Sequence, residues 1–339
     1  MDPHHLSFAS QALRYFRREH EIVRREPIHG PVAWRGAELA GRSDWIVRLE
    51  PEQIDELDRA RALVRARGLP LAETGSADFP LPTLAPAIAG WARELARGRG
   101  FLLVRGLPVA RWGDADSALV YWGIGQHLGE PGAQNPQGEL LGHVVDTGED
   151  AAKPLVRLYR TAANIDYHCD LADAVGLLCL RTAKRGGASR IVSSVSVYNE
   201  LLRRRPDLVD RLYEPFALDS RDEQGAGRLP FVPIPPCRFA AGQLRTFWHS
   251  DYFRSAQRHP EAPRWGDRET ELVGLYEEIA SDASLRLDMH FEPGDVQLIS
   301  NHFILHARTA YEDWAEPERR RHLLRLWLSL RPEPSALPR

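Results

Sequence analysis

The chain predicts an α+β fold in which helices gather in the first third and strands dominate the rest. Three observations carry that reading. The first hundred residues hold two segments with apolar side chains at helical spacing; from Phe101 onward short apolar runs alternate with Gly- and Pro-bearing turns; and the C-terminal RRHLLRLWLSLRP repeats every two residues. No internal repeat, low-complexity tract or linker between two cores breaks this order. One domain is therefore expected over 1–339, with 1–98 as mainly helical support and 99–332 as the strand-rich segment.

In PEQIDELDRARALVRARG, Ile54, Leu57, Ala60, Leu63 and Val64 fall at helical spacing, with Pro51 suited to a first turn and Gly68 to a stop. LAPAIAGWARELARGRG repeats the pattern with Ile88, Trp91, Ala92 and Leu95. FLLVRGLPV reads as a short buried strand, Phe101 to Val104, closed by a turn at Gly106, and a helix covers Asp114 to Leu128. VGLLCL is a buried strand, and KRGGASRIVSS turns at Gly186 and Gly187 into another. SVYNELLRRRPDLVDRLYE reads as a surface helix broken at Pro206, and RETELVGLYEEIA as a further helix. RLDMHFEPGDVQLISN places two strands around a Pro-Gly-Asp turn. In the last segment Leu324, Leu326, Leu328 and Leu330 share one parity while Arg325 and Trp327 share the other, so a strand here aims Arg325 away from the leucines.

Composition narrows the function. With 43% hydrophobic residues in 339, a substantial core is available, and a formal charge of −3 offers no basic surplus for nucleic acid or an anionic membrane. Arginine supplies nearly all the positive charge, Lys153 and Lys184 being the only lysines. No run approaches the length of a membrane span, and MDPHHLSFAS lacks the basic, apolar, small-residue order of a secretory leader. Cys169, Cys179 and Cys237 fit no zinc or disulfide spacing, so the expected compartment is reducing, the cytoplasm, and the expected partner a small molecule.

Chemistry concentrates in YHCDLADAVGLLCL. Residues two apart on a strand point the same way, so His168 and Asp170 can offer an imidazole and a carboxylate to one ion while Cys169 turns to the opposite face. A distant second His would complete the two-His, one-carboxylate set that leaves positions open on non-heme Fe(II). GDVQLISNHFILHART supplies both His302 and His306, and four-residue spacing on a helix could bring the two to one ion. The other His-x-Asp, His249 and Asp251 in WHSDYF, lacks a following buried strand and has an aromatic setting better suited to a pocket rim or to packing. Asp173 reads as a turn or solvent carboxylate. Arg321 and Arg325, 15 and 19 residues beyond His306, are permanently charged forks suited to a remote carboxylate of 2-oxoglutarate.

The order HCD, RGGASRIVSS and GDVQLISNHFILHARTAYEDWAEPERRRHLLRLWL resembles the taurine catabolism dioxygenase family of Fe(II)- and 2-oxoglutarate-dependent oxygenases, and RGFLLVRGLPV and QNPQGELLGHV are similar to its upstream parts. The resemblance implies a double-stranded β-helix, a jelly roll with flanking helices, as the catalytic core over 99–332 with helical insertions. Position by position it implies His168, Asp170 and His306 as iron ligands, with His302 structural. It further implies Arg325 on the outer carboxylate of 2-oxoglutarate, Arg321 near the metal-side carboxylate, and Ser189 in place of the usual Thr that assists the outer carboxylate. The implied reaction oxidises a C–H bond of a small molecule with O2 and releases succinate and CO2; hydroxylation is the default, with desaturation or cyclisation starting from the same substrate radical. Retention of Asp170 argues against halogenation, because halogenating relatives carry a small residue there. Tyr167, Asn135, Trp248 and His249 are the candidate substrate contacts, and their aromatic members favour an apolar or ring-bearing substrate. Two other readings stay open: the same ligand set can hold Zn2+ and activate water, and a jelly roll can bind without turnover.

Overall fold

A computed structural model describes residues 4–331 except 154 and 226; residue 332, the expected end of the catalytic segment, lies outside them. In chain order its principal elements are α1 (Phe8–Phe16), β1 (Ile46–Arg48), α2 (Pro51–Arg67), α3 (Ala85–Arg97), β2 (Phe101–Arg105), α4 (Val109–Leu128), β3 (Gly129–Gly132) and β4 (Gly142–Val144). They continue through β5 (Ile165–His168), β6 (Ala174–Arg181), β7 (Ser189–Ser193), α5 (Ser194–Arg204), α6 (Asp267–Ser281), β8 (Leu287–Met289), β9 (Val296–Ser300), β10 (Ile304–Arg308) and β11 (His322–Leu330). A large sheet runs β1-β2-β9-β6-β11-β3, with β4 also paired to β11, and a smaller sheet runs β8-β7-β10-β5. These are the two walls of a jelly roll. Among the described residues no helix is long and apolar enough to cross a membrane.

Strand alternation builds three apolar layers. On the outer face of the large sheet, Leu102, Val104, Leu298, Leu324, Leu326 and Leu328 pack against Leu57 of α2, Ile88 of α3 and Leu119 of α4. Between the sheets, Phe101, Val175, Ile299 and Trp327 meet Ile191, Leu287 and Ile304. Outside the small sheet, Val192, Leu305 and Ala307 lie under α5 and α6. Burying each of Leu324, Leu326 and Leu328 contributes roughly 1.5–3 kcal/mol, so the parity of that strand is held firmly and its other face must carry Arg325 and Trp327 inward.

Three sequence expectations change in this setting. The helix read as a surface element, α5, buries Val195, Val197, Tyr198 and Leu201, because β7 feeds directly into it and sets it against the small sheet. The two strands around Pro293-Gly294-Asp295 exist but do not pair: β8 joins β7 in the small sheet and β9 lies between β2 and β6 in the large one. Their turn crosses between the walls. Asp295 secures it by accepting two hydrogen bonds from Arg105, and Gly294 has φ +91 with its Cα so close that a Cβ would lie 2.0 Å from the Leu107 carbonyl oxygen. Finally, the helical first segment also supplies β1, which extends the large sheet in parallel with β2.

Candidate metal centre

β5 ends at His168, directly opposite His306 on β10. The chain then leaves the strand, and Asn301 holds the exit by accepting from the Asp170 N–H at 3.1 Å and donating to the Ala172 carbonyl at 3.0 Å. That brace turns Asp170 back toward the two imidazoles. One donor atom from each of His168, Asp170 and His306 lies within 4.8 Å of the others, the only such triplet among the described residues. The imidazole rings are 4.1 Å apart at their centroids, and His306 Nε2 stands 3.7 Å from Asp170 Oδ2. His168 Nδ1 lies 2.9 Å from the Asp166 carbonyl oxygen, which can only accept, so the proton sits on Nδ1 and Nε2 is left for a ligand bond.

Asp170 Oδ2 is buried and has no hydrogen-bond partner. Burial raises the Asp170 pKa, but the charges of Arg325, His306 and His168 outweigh it and hold the carboxyl below its usual range. For His306, burial and then His168 push the imidazole down to about 3 against the pull of Asp170. A neutral His306 imidazole facing an ionised carboxylate whose Oδ2 accepts no hydrogen bond is the protonation state a divalent cation needs, so these three side chains fit a metal ion.

The same shifts predict acid sensitivity in the metal-free protein. His249, His302 and His306 all titrate below the ordinary imidazole value, chiefly because they are buried. The unfolded chain then takes up protons first, so stability present above about pH 6.5 is lost as pH falls, by at most roughly 1.4 kcal/mol per pH unit for each histidine. Urea midpoints of metal-free protein should drop between pH 7 and pH 5. A flat midpoint would mean that these imidazoles are charged in the folded state.

β11 brings a guanidinium to the centre. Arg325 Nη1 lies 3.7 Å from Asp170 Oδ1, Nε donates to Gln134 Oε1 at 2.6 Å, and Gln134 Nε2 returns a bond to the Arg325 carbonyl at 2.7 Å. Tyr159 and Trp327 stack over the same guanidinium at 4.7 and 5.2 Å. Arg321, on the same side and just ahead of β11, is buried, beside Gly187 and 5.1 Å from the Tyr311 ring; its Nη1 has no partner, and burial lowers its pKa. Ser189 is buried and exchanges its hydroxyl with Gln297. Arg308, two residues after His306, donates through Nη2 to the carbonyls of Thr161 and Ala163 and so ties down the approach to β5.

A cavity of about 1110 Å³ opens in front of these groups, bordered by His168, Asp170, His306, Ser189, Arg321 and Arg325. Of the expected substrate contacts, His249 borders it too, bridged to His168 and stacked on Tyr252 at 3.7 Å. Trp248 does not: its ring is wholly buried, stacked on Tyr276 at 3.9 Å, because it alternates with His249. Tyr167 lies at the cavity border, but its ring packs in the layer with Val192 and Ala307, on the face opposite His168. Asn135 is at the rim with its amide engaged by Glu139, and the neighbouring Gln134 makes the inward contact instead. His302 stacks on Tyr15 and hydrogen-bonds Asp173, so Asp173, expected as a turn or solvent carboxylate, lies in a bend as a paired structural carboxylate that also accepts from the Leu330 N–H. Sequence reading missed Gln134, although it stands in the quoted QNPQG stretch, because parity there is set by pairing with β11.

The family model for the taurine catabolism dioxygenase TauD, TfdA family matches residues 65–327. The chain belongs to that family. This TauD/TfdA protein is an Fe(II)- and 2-oxoglutarate-dependent dioxygenase with a jelly-roll core, which sets the zinc-hydrolase and binding-only readings aside. It is 29% identical over 317 residues to the FR-33289 synthase of Streptomyces rubellomurinus, covering 91% of this chain and 92% of that protein. It is 27% identical over 315 residues to the taurine hydroxylase-like protein SAT17 of Stachybotrys chartarum, covering 88% and 79%. Among solved structures, asparagine oxygenase in complex with Fe(II), 2S,3S-3-hydroxyasparagine and succinate has the same fold, with TM-score 0.67, 18% identity and 84% and 93% of the two chains covered. The non-heme iron oxygenase OrfP with Fe and alpha-ketoglutaric acid matches at TM-score 0.61, 16% identity, over 84% and 94%.

Proposed function

We propose that this dioxygenase oxidises a C–H bond of a small organic substrate, with hydroxylation as the outcome, and that His168, Asp170 and His306 hold its iron. The observation that carries the reading is the convergence of one donor atom each from His168, Asp170 and His306 at the floor of an open cavity, with the buried Asp170 Oδ2 satisfied by no hydrogen bond. Iron bound there supplies, with 2-oxoglutarate and O2, the oxidising power for the C–H bond, yielding succinate and CO2. The protein's own groups bind and orient. The packing around Asp170 and His306 fixes the two side chains, and the Gln134–Arg325 bond pair holds a cation beside the carboxylate ligand.

The two arginine roles are proposed in the reverse of the sequence expectation. Arg325 already has Asp170 and Gln134 as partners and lies at the metal end. Arg321 is a desolvated cation with a free Nη1 bordering the same cavity as Arg325, so the far carboxylate of 2-oxoglutarate is its natural counter-ion. Ser189 remains a helper at that end. His249 and Gln134 are the inner substrate neighbours. Residues 1–98 support, and 99–332 form, the catalytic core of one domain. Three free, buried thiols support a cytoplasmic location, and the small negative charge supports small-molecule and O2 partners rather than nucleic acid or membrane.

Anaerobic addition of 2-oxoglutarate to the Fe(II)-loaded protein should produce a visible charge-transfer band, and admission of air with substrate should release succinate and CO2 in equal amounts. Failure of 2-oxoglutarate to bind would sink the reading.

A further inference from the structure

We propose that the substrate carries an extended apolar segment, alkyl or aryl, and that an apolar collar around the cavity mouth is its binding site, the reacting carbon lying at the inner end. This rests on the oxygenase reading of the metal centre. The cavity, at about 1110 Å³, is at or above the top of the range for pockets that enclose drug-sized ligands, and a five-carbon co-substrate occupies only part of it. Its floor is polar, with Asp170, Arg325, Gln134 and His249.

The mouth has the opposite character. Among the described residues six large apolar side chains are prominently exposed, and four of them, Leu13, Leu155, Leu229 and Val232, border this one cavity. They come from α1 and from two segments far apart in the chain. Exposed apolar residues scattered singly need no explanation, but convergence on one opening marks a surface meant to be covered.

Helix α1 makes the case specific. A surface helix ordinarily turns its apolar stripe to the core and its polar residues to water. Here the buried residues are Gln11 and Tyr15, which anchor the helix through polar atoms: Gln11 Nε2 donates to the Ala133 carbonyl, and the Tyr15 hydroxyl donates to the carbonyl of Asn301, the residue that braces Asp170. Phe8, Ala12, Leu13 and Phe16 border the cavity; Phe8 and Phe16 are half-buried against the apolar layers, and Leu13 is 57% exposed. The helix is fastened to the iron-site scaffold by the Gln11 and Tyr15 hydrogen bonds and by the Tyr15 ring, while the apolar edge ending in exposed Leu13 runs on into the cavity mouth. A substrate with a polar reacting end and an apolar extension matches both halves of the cavity.

The test uses straight-chain primary alcohols from butanol to octanol as probes, titrated calorimetrically under anaerobic conditions into the Fe(II)- and 2-oxoglutarate-loaded protein. Each added methylene should tighten binding about fourfold until the collar is filled. In the double variant Leu13→Asp/Leu229→Asp the gain per methylene should fall below about twofold, while 2-oxoglutarate affinity, read from the charge-transfer band in the same samples, is retained. Both positions are exposed, so folding is not at stake, and Leu63→Asp, exposed but away from the cavity, should leave the series unaltered. An affinity independent of chain length, or a series unchanged in the double variant, overturns the proposal. So does a wild-type dimer, or wild-type binding to phosphatidylcholine vesicles, that the double variant abolishes, since the collar would then serve another copy or a bilayer. Absence of the charge-transfer band before any alcohol is added would overturn the oxygenase reading beneath it.

Discussion

Replacing His306 by alanine is expected to leave a folded protein that no longer retains iron and turns over substrate at least roughly 10³-fold more slowly, the equivalent of losing several kcal/mol of metal-assisted stabilisation. The expectation follows from the pairing of β5 with β10. His306 sits opposite His168 and offers Nε2 3.7 Å from Asp170, so its loss removes one of three converging donors and leaves Asp170 to Arg325. His302→Ala is the informative contrast. Its ring stacks on Tyr15 and bonds Asp173, so that variant should unfold at lower temperature yet keep its iron. Metal content of both variants, with thermal midpoints, separates the two histidines. Retention of iron by His306→Ala together with its loss from His302→Ala would mean that the wrong imidazole has been placed at the centre.

Arg321→Ala should weaken 2-oxoglutarate binding by about 10²- to 4 × 10³-fold, because truncating one partner of a buried ion pair costs about 3–5 kcal/mol. Iron affinity should change little, since no metal donor contacts Arg321. Arg325→Ala should act differently. With the guanidinium gone, burial raises the Asp170 pKa against less opposition, so iron loading should fail at a higher pH than in the wild type. The sign follows from linkage: a carboxylate whose pKa is held low keeps its charge down to lower pH, and releasing it moves the loss of metal upward. Titrating 2-oxoglutarate through its charge-transfer band, and iron loading against pH, on both variants gives two independent readouts. Should Arg325→Ala cost more 2-oxoglutarate affinity than Arg321→Ala while iron loading stays put, the roles return to those implied by the family resemblance.

Much of this was legible before any coordinates. The two-residue repeat of β11 placed Leu324, Leu326, Leu328 and Leu330 on one face and Arg325 with Trp327 on the other, as found, with Leu323 on the inner side. The turn at Gly186 and Gly187 and the helices α2, α3, α4 and α6 follow from local periodicity, caps and turn residues. His168 and Asp170 do converge, but not by the shared strand face expected of them, since β5 ends at His168 and Asn301 braces the turn that brings Asp170 back. Where reading failed, the cause was a partner remote in the chain. Trp248 and Tyr167 sit beside site histidines and alternate away from them, a consequence of which face of each strand meets the cavity. Asn135 and Gln134 are adjacent and chemically alike, and only the pairing of neighbouring strands with β11 decides that Gln134 turns inward.

By itself, then, the amino-acid sequence determined the alternation of faces, the positions of helices and turns, and the set of groups available for iron and keto-acid chemistry, all of which depend on contacts within a few residues. Only the tertiary structure decided which faces look into the cavity, which arginine already has a carboxylate partner, and that apolar side chains of α1 border the cavity. Those outcomes come from stacking two sheets whose strands are far apart in the chain, and burial and desolvation arise only when such layers close on one another.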